Sequence, residues 1–115
     1  MRVLYVDDHT PFRMVVKRKF LAGHEVVGAG TLAEAREILE HQTFDVALID
    51  YAFTDGCGVD LVKEMAEAKP ECKVIAVATN LQQKAEMLEA GANGSIPKNE
   101  FVKLEERLSA VFGNQ

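Results

Sequence analysis

Hydrophobic and polar positions along this chain follow two rhythms. Short apolar runs at Arg2–Val6, Glu25–Gly28, Asp45–Ile49, Lys73–Val77 and Gly94–Ile96 predict strands. Those at 45–49 and 73–77 are nearly continuous in apolar residues, the pattern of a strand covered on both faces. Between the runs, apolar residues recur with helical period. Phe12, Val15, Val16 and Phe20 make one stripe, with Thr10 as expected N-cap and Pro11 at the first helical position. Leu32, Ala35, Ile38 and Leu39 make a second, capped by Thr31, with Glu34 completing a capping box. Leu61, Val62, Met65 and Ala66 make a third. Leu81, Ala85 and Leu88 make a fourth, stopped by Gly91, and Phe101, Leu104, Leu108, Val111 and Phe112 make a fifth.

Strand and helix thus alternate through the chain. That order predicts an α/β fold, a parallel sheet with helices on both faces, forming one domain over residues 1–115. A chain of this length can bury roughly two-thirds of its unfolded surface, enough for a core without staples. The net charge of −5 makes the domain a poor binder of polyanions, so direct contact with nucleic acid is not expected. Cys57 and Cys72 lack metal-ligand spacing and read as reduced thiols. The N-terminus does not read as a signal peptide, and no run approaches the ~20 apolar residues of a membrane helix. The expected location is the cytoplasm, away from the membrane.

Chemistry in such sheets collects at the carboxyl ends of the strands. The first strand runs into Asp7 and Asp8, the third into Asp50, the fourth into Ala78 and Thr79, and the fifth into Lys98. Three carboxylates brought together repel one another strongly. A hard divalent cation offsets that repulsion, and Mg²⁺ suits a site that also accepts a substrate phosphate. Lys98 adds a second positive charge and the Thr79 hydroxyl a donor. A carboxylate nucleophile, a metal, an ammonium and a hydroxyl form a set suited to phosphoryl transfer. His9, beside the acidic pair, can line the site, whereas His24 and His41 read as turn and helix-end residues.

These residues sit in motifs: Val6-Asp7-Asp8-His9, Phe44 through Asp50, Asp55-Gly56-Cys57-Gly58, Ala90 through Gly94, and Ile96-Pro97-Lys98. With them the whole chain resembles the receiver domains of bacterial response regulators. The resemblance implies a flavodoxin-like (βα)5 three-layer sandwich with strand order 2-1-3-4-5. It implies Asp50 as phosphoacceptor, with Mg²⁺ coordinated by Asp8, Asp50 and the main-chain carbonyl of Ala52, and with Asp7 holding a metal-bound water. Lys98 would pair with the phosphoryl oxygens. The partner implied is a histidine kinase or a phosphotransfer protein, followed by an output domain or a downstream protein; a weak homodimer is compatible with the family. The Asp8-His9-Thr10-Pro11-Phe12-Arg13 segment resembles the subgroup whose output is a helix-turn-helix DNA-binding domain. The chain ends at Gln115 with no such domain in it, so it reads either as a stand-alone receiver or as a piece of a longer regulator.

Two positions depart from the family pattern. The switch hydroxyl at the end of strand four falls on Ala78, with Thr79 one residue later, and either register is open. Ser95 occupies the place of the usual Tyr or Phe switch. Both departures favour an alternative, a degenerate receiver that binds proteins without phosphorylation; the intact set Asp7, Asp8, Asp50 and Lys98 opposes it. A phosphohydrolase with an aspartyl nucleophile would carry a second acid two residues after Asp50, where this chain has Ala52. A flavin carrier would need a Ser/Thr/Gly-rich loop after strand one, where this chain has acids.

Overall fold

The computed structural model describes residues 1–113. Five parallel strands form the central sheet: β1 (Arg2–Val6), β2 (Glu25–Ala29), β3 (Val46–Asp50), β6 (Lys73–Val77) and β7 (Gly94–Ile96). Their spatial order is β2-β1-β3-β6-β7. Counted among themselves, these strands follow the expected 2-1-3-4-5; the labels differ because two short strands, β4 (Ala52–Phe53) and β5 (Gly56–Cys57), form a separate antiparallel hairpin after β3. No periodicity foretold that hairpin. The third strand also begins and ends one residue later than expected, because Asp50 pairs with Val77 in the ladder.

Alternation along the strands divides the core in two. Leu4, Val6, Ala47, Ile49, Val74 and Ala76 face one layer, made by α2 (Leu32–His41), α3 (Gly58–Ala68) and α4 (Leu81–Ala90). Val3, Tyr5, Val46, Leu48, Ile75 and Val77 face the other, made by α1 (Thr10–Phe20), the 3-10 segment Lys98–Lys103 and α5 (Leu104–Val111). The two-residue period of a strand sends successive side chains to opposite faces, so runs apolar at every position feed both layers. Among the described residues no helix is long and apolar enough to cross a membrane.

Four helical expectations need correction. The N-cap of α1 is His9, whose Nδ1 accepts from the Phe12 amide at 3.2 Å; Thr10 is already helical. Val15 and Ala66 belong to predicted stripes but lie exposed. Helix α4 is turned so that Leu81 is 82% exposed and Leu88 is also at the surface, while Met87 is its buried residue. Two side-chain hydrogen bonds lie along its first half. Gln83 Oε1 accepts from the Thr79 hydroxyl at 2.9 Å, and Glu86 Oε1 accepts from the Tyr51 hydroxyl at 2.6 Å. At its end, Gly91 adopts φ +125° and passes so close to Ala66 that a Cβ would lie 2.8 Å from the Ala66 Cβ. The capping box of α2 is displaced by one residue: Thr31 accepts from the Glu34 amide, but the Glu34 carboxylate reaches back to the Gly30 amide.

Candidate functional site

The carboxyl ends of β1, β3 and β7 meet at one edge of the sheet. Asp7 follows β1, and parallel pairing of β1 with β3 sets it beside Asp50. Asp7 is 0% exposed and Asp50 8%, whereas Asp8 faces solvent. One carboxylate oxygen from each of Asp7, Asp8 and Asp50 lies within 4.8 Å of the others. Lys98, just beyond β7, extends into this group, its Nζ 2.9 Å from Asp50 Oδ2 and 3.3 Å from Asp7 Oδ2. Each buried carboxylate has further donors. The Asp7 Oδ1 accepts from the His9 amide at 2.8 Å, and its Oδ2 has the Tyr5 hydroxyl at 3.4 Å. The Asp50 Oδ1 accepts from the Tyr51 amide at 2.8 Å. Arg13 donates to the Asp7 carbonyl, fixing the turn between β1 and α1.

Burial raises the Asp50 pKa above the usual carboxylate value, and the neighbouring Asp7 pushes it the same way; the hydrogen bonds from Lys98 and the Tyr51 amide oppose this without cancelling it. Lys98 loses hydration, which disfavours its charge, yet Asp50 and Asp7 outweigh that loss and raise its pKa. Burial and the same carboxylates push the Tyr5 phenol up, so it remains a donor. Because the folded-state pKa of Asp50 is raised, the folded state holds the proton more tightly, and stability falls as pH rises from the unfolded-state pKa through the folded one. Asp50→Asn removes that loss. In EDTA at pH 7 the variant is expected to melt at a higher temperature than wild type. The gain should shrink as pH falls through the carboxylate range, as followed by calorimetry.

The remaining predicted residues are placed as follows. Ala52 starts the hairpin and is exposed two residues past Asp50. Ala78 is buried next to β6, its amide bonded to the Ile96 carbonyl. Thr79 is exposed, and both its hydroxyl and its amide are bound to Gln83. Ser95, opposite Ala76 in β7, is half-buried. It borders a cleft of ≈ 330 Å³ shared with Ala78, Thr79, Lys84, Pro97 and Arg107.

Sequence reasoning missed Tyr5, Phe12, Arg13, Tyr51 and Gly58 as contributors here. Gly58 carried a signal in its motif, and the structure supplies the reason. Its amide donates to the Tyr51 carbonyl at 2.6 Å, and a Cβ on it would overlap the Asp50 carbonyl oxygen. Asp55 in the same motif accepts from the Leu32 and Ala33 amides, which lowers its pKa and pins the hairpin to the start of α2. His9 acts as a cap and as a backbone donor to Asp7. His41 ends α2 as expected, and His24, in the turn before β2, also meets Glu105 at 2.6 Å.

All-oxygen donors, crowded carboxylates and partial solvent access through Asp8 match what a small hard cation requires. Comparison with known proteins agrees with the geometry. The family model for the response regulator receiver domain matches residues 3–109. The chain is 35% identical over 101 residues to the chemotaxis protein CheY of Thermotoga maritima, an alignment covering 84% of each protein. It is 31% identical over 104 residues to the DNA-binding transcriptional activator DevR/DosR of Mycobacterium tuberculosis, covering 86% of this chain and 48% of that relative. The chain therefore spans about half the length of that regulator. A CheY-like receiver domain protein from Methanospirillum hungatei superposes with a TM-score of 0.82 at 28% identity, covering 99% of this chain and 98% of that one. In fold alone, the response regulator TrrA of Thermotoga maritima, solved in complex with Mg(2+)-BeF, superposes with a TM-score of 0.86 at 21% identity, covering 96% and 97% of the two chains. With its strand order, its acidic cluster and these relatives, the chain belongs to the receiver domains of two-component response regulators.

Proposed function

We propose that Asp50 accepts a phosphoryl group from a histidine kinase or phosphotransfer protein, in a cytoplasmic relay. The observation that carries this reading is the Asp50 carboxylate itself, at the rim of the sheet, flanked by two more carboxylates and paired with Lys98 at 2.9 Å. Asp8, Asp50 and the Ala52 carbonyl would hold Mg²⁺, with Asp7 behind them. When bound, the cation supplies positive charge against the phosphoryl oxygens. The carboxylate of Asp50 attacks phosphorus, and the bond to the donor's leaving group breaks with its electron pair. Lys98 then turns from the carboxylates to a phosphoryl oxygen, a charge-assisted contact of the kind that governs this chemistry. The domain acts on no external substrate; its catalysis is confined to gain and loss of its own phosphoryl group. Ala52 fits that limit, since the position carries no acid. An output domain or separate protein would read the state.

The switch at strand four follows from the placement of Thr79. Its hydroxyl belongs to the cap of α4 through Gln83, so it must leave Gln83 before it can meet a phosphoryl oxygen. Ala78 offers its backbone alone.

The test is intact mass after incubation with acetyl phosphate and Mg²⁺. One phosphoryl group is expected on wild type and none on Asp50→Asn. Unmodified wild type under these conditions sinks the reading and leaves the phosphorylation-independent binding module in its place.

A further inference from the structure

Lys98 has a third neighbour besides its two carboxylates. Its Nζ lies 5.2 Å from the centroid of the Phe12 ring, within the range of a cation–π contact. Phe12 is itself well fixed. Its amide is the one that the His9 ring caps, at 3.2 Å. Its ring packs on Phe101 at 5.6 Å between centroids, and Phe101, almost fully buried, packs in turn on Tyr5 at 6.2 Å. An aromatic floor thus runs from the core to the underside of the ammonium.

The three partners of Lys98 differ in one respect. Asp7 and Asp50 belong to the carboxylate set that a divalent cation would claim. A cation that takes those oxygens weakens their attraction for a lysine, and the two positive charges repel. The Phe12 face competes for nothing the cation needs, and it keeps its attraction for an ammonium whatever the carboxylates do. The ring therefore matters most at the stage when Lys98 must stay at the site with its anionic partners engaged elsewhere.

We propose that Phe12 is a positioning residue for phosphoryl transfer, its ring face holding the Lys98 ammonium in place when the carboxylates turn to the metal. The inference rests on the reading of Asp50 as an Mg²⁺-dependent phosphoacceptor. It assigns to the first turn of α1 a role beyond core packing.

The experiment compares wild type with Phe12→Leu, which keeps apolar bulk, and Phe12→Tyr, which keeps the ring. Three quantities are read on each: the rate of phosphorylation by acetyl phosphate, the Mg²⁺ affinity by titration, and the NMR shifts of the Lys98 ε-methylene protons with and without Mg²⁺. Phe12→Leu should phosphorylate about fivefold more slowly, the effect expected of a partly desolvated cation–π contact. Phe12→Tyr should stay within about twofold of wild type on the same scale. Mg²⁺ affinity should be unchanged in both, because Phe12 touches no carboxylate. The Lys98 ε-protons should show an upfield ring-current shift in wild type and Phe12→Tyr that survives addition of Mg²⁺, and none in Phe12→Leu. Any other pairing of rates overturns the proposal: both variants slow would mean packing, and both normal, or tyrosine alone slow, would mean that the ring face is idle. A ring-current shift that vanishes with Mg²⁺, or an Mg²⁺ affinity that falls with the rate, overturns it as well. Wild type that takes no phosphoryl group at all would instead sink the reading of Asp50, an outcome the Phe12 variants cannot mimic.

Discussion

Replacing Gly58 with alanine is expected to cost about 3 kcal/mol or more of stability and to slow phosphorylation at least about tenfold. Gly58 opens α3 and is buried, and its amide donates to the Tyr51 carbonyl at 2.6 Å. The chain doubles back after the hairpin so tightly that an added methyl group would occupy the Asp50 carbonyl oxygen. The Ile49 Cγ2 lies 3.2 Å from the same hypothetical atom, and both neighbours belong to β3, so making room means moving that strand. The backbone that shifts is the one that carries the nucleophile. Small displacements of a reacting group are expensive in rate, which is why a change in packing here should appear as a change in chemistry. Urea unfolding and the acetyl phosphate reaction measure the two effects. A Gly58→Ala protein within about 0.5 kcal/mol of wild type, in the range of ordinary surface substitutions, would show that the loop relaxes freely.

The second large effect is at Lys98. Substitution by methionine keeps much of the stem but removes the charge shared by Asp7 and Asp50. Asp7 is wholly buried, and removing one member of a buried charge pair leaves the other uncompensated. In EDTA at pH 7, Lys98→Met is expected to lose about 2–3 kcal/mol, less than the full value for a sealed pair because Lys98 is partly exposed and water can enter. Two dependences identify the cause. Millimolar Mg²⁺ should raise the melting temperature of the variant more than that of wild type, since the cation restores positive charge and a ligand of the native state stabilises by mass action. Acidification should also narrow the deficit, because protonated carboxyls no longer need a counter-charge. A deficit independent of both Mg²⁺ and pH would point to lost packing instead.

The strands were legible because the inner ones carry runs of consecutive apolar residues, whereas the helices among the described residues alternate apolar and polar positions. Arg2–Val6, Lys73–Val77 and Gly94–Ile96 have the same bounds in the sequence pattern and in the structure. The hairpin at 52–57 left no trace because two-residue strands are too short to have a period. Helix α4 shows the limit of periodicity most clearly. Leu81, Ala85 and Leu88 keep helical spacing, but spacing says nothing about which face a neighbour will claim, and the core takes Met87 instead. At the site, Asp7, Asp8, Asp50 and Lys98 could be found because each ends a strand or lies within two residues of a strand's end, and parallel strands end together. Tyr5 and Phe12 could not, since both read as core residues and their contacts with Asp7 and Lys98 depend on side-chain directions across two elements. The N-cap was misplaced for a similar reason: His9 and Thr10 both precede Pro11, and only the direction of the imidazole separates them.

Helix α4 has a consequence for how the domain comes apart. It commits one fully buried side chain, Met87, to the core, with Ala90 partly buried beside it, and adds hydrogen bonds at Gln83 and Glu86. Its amides are therefore expected to exchange through openings smaller than global unfolding, as hydrogen exchange would show. One of its two tethers is Tyr51, whose amide binds the Asp50 carboxylate and whose hydroxyl, its pKa pushed up to about 12 by Glu86, grips the helix. A helix with a single fully buried side chain is thus moored to the residue next to the nucleophile, and a disturbance of charge at Asp50 reaches it through one neighbouring residue, Tyr51.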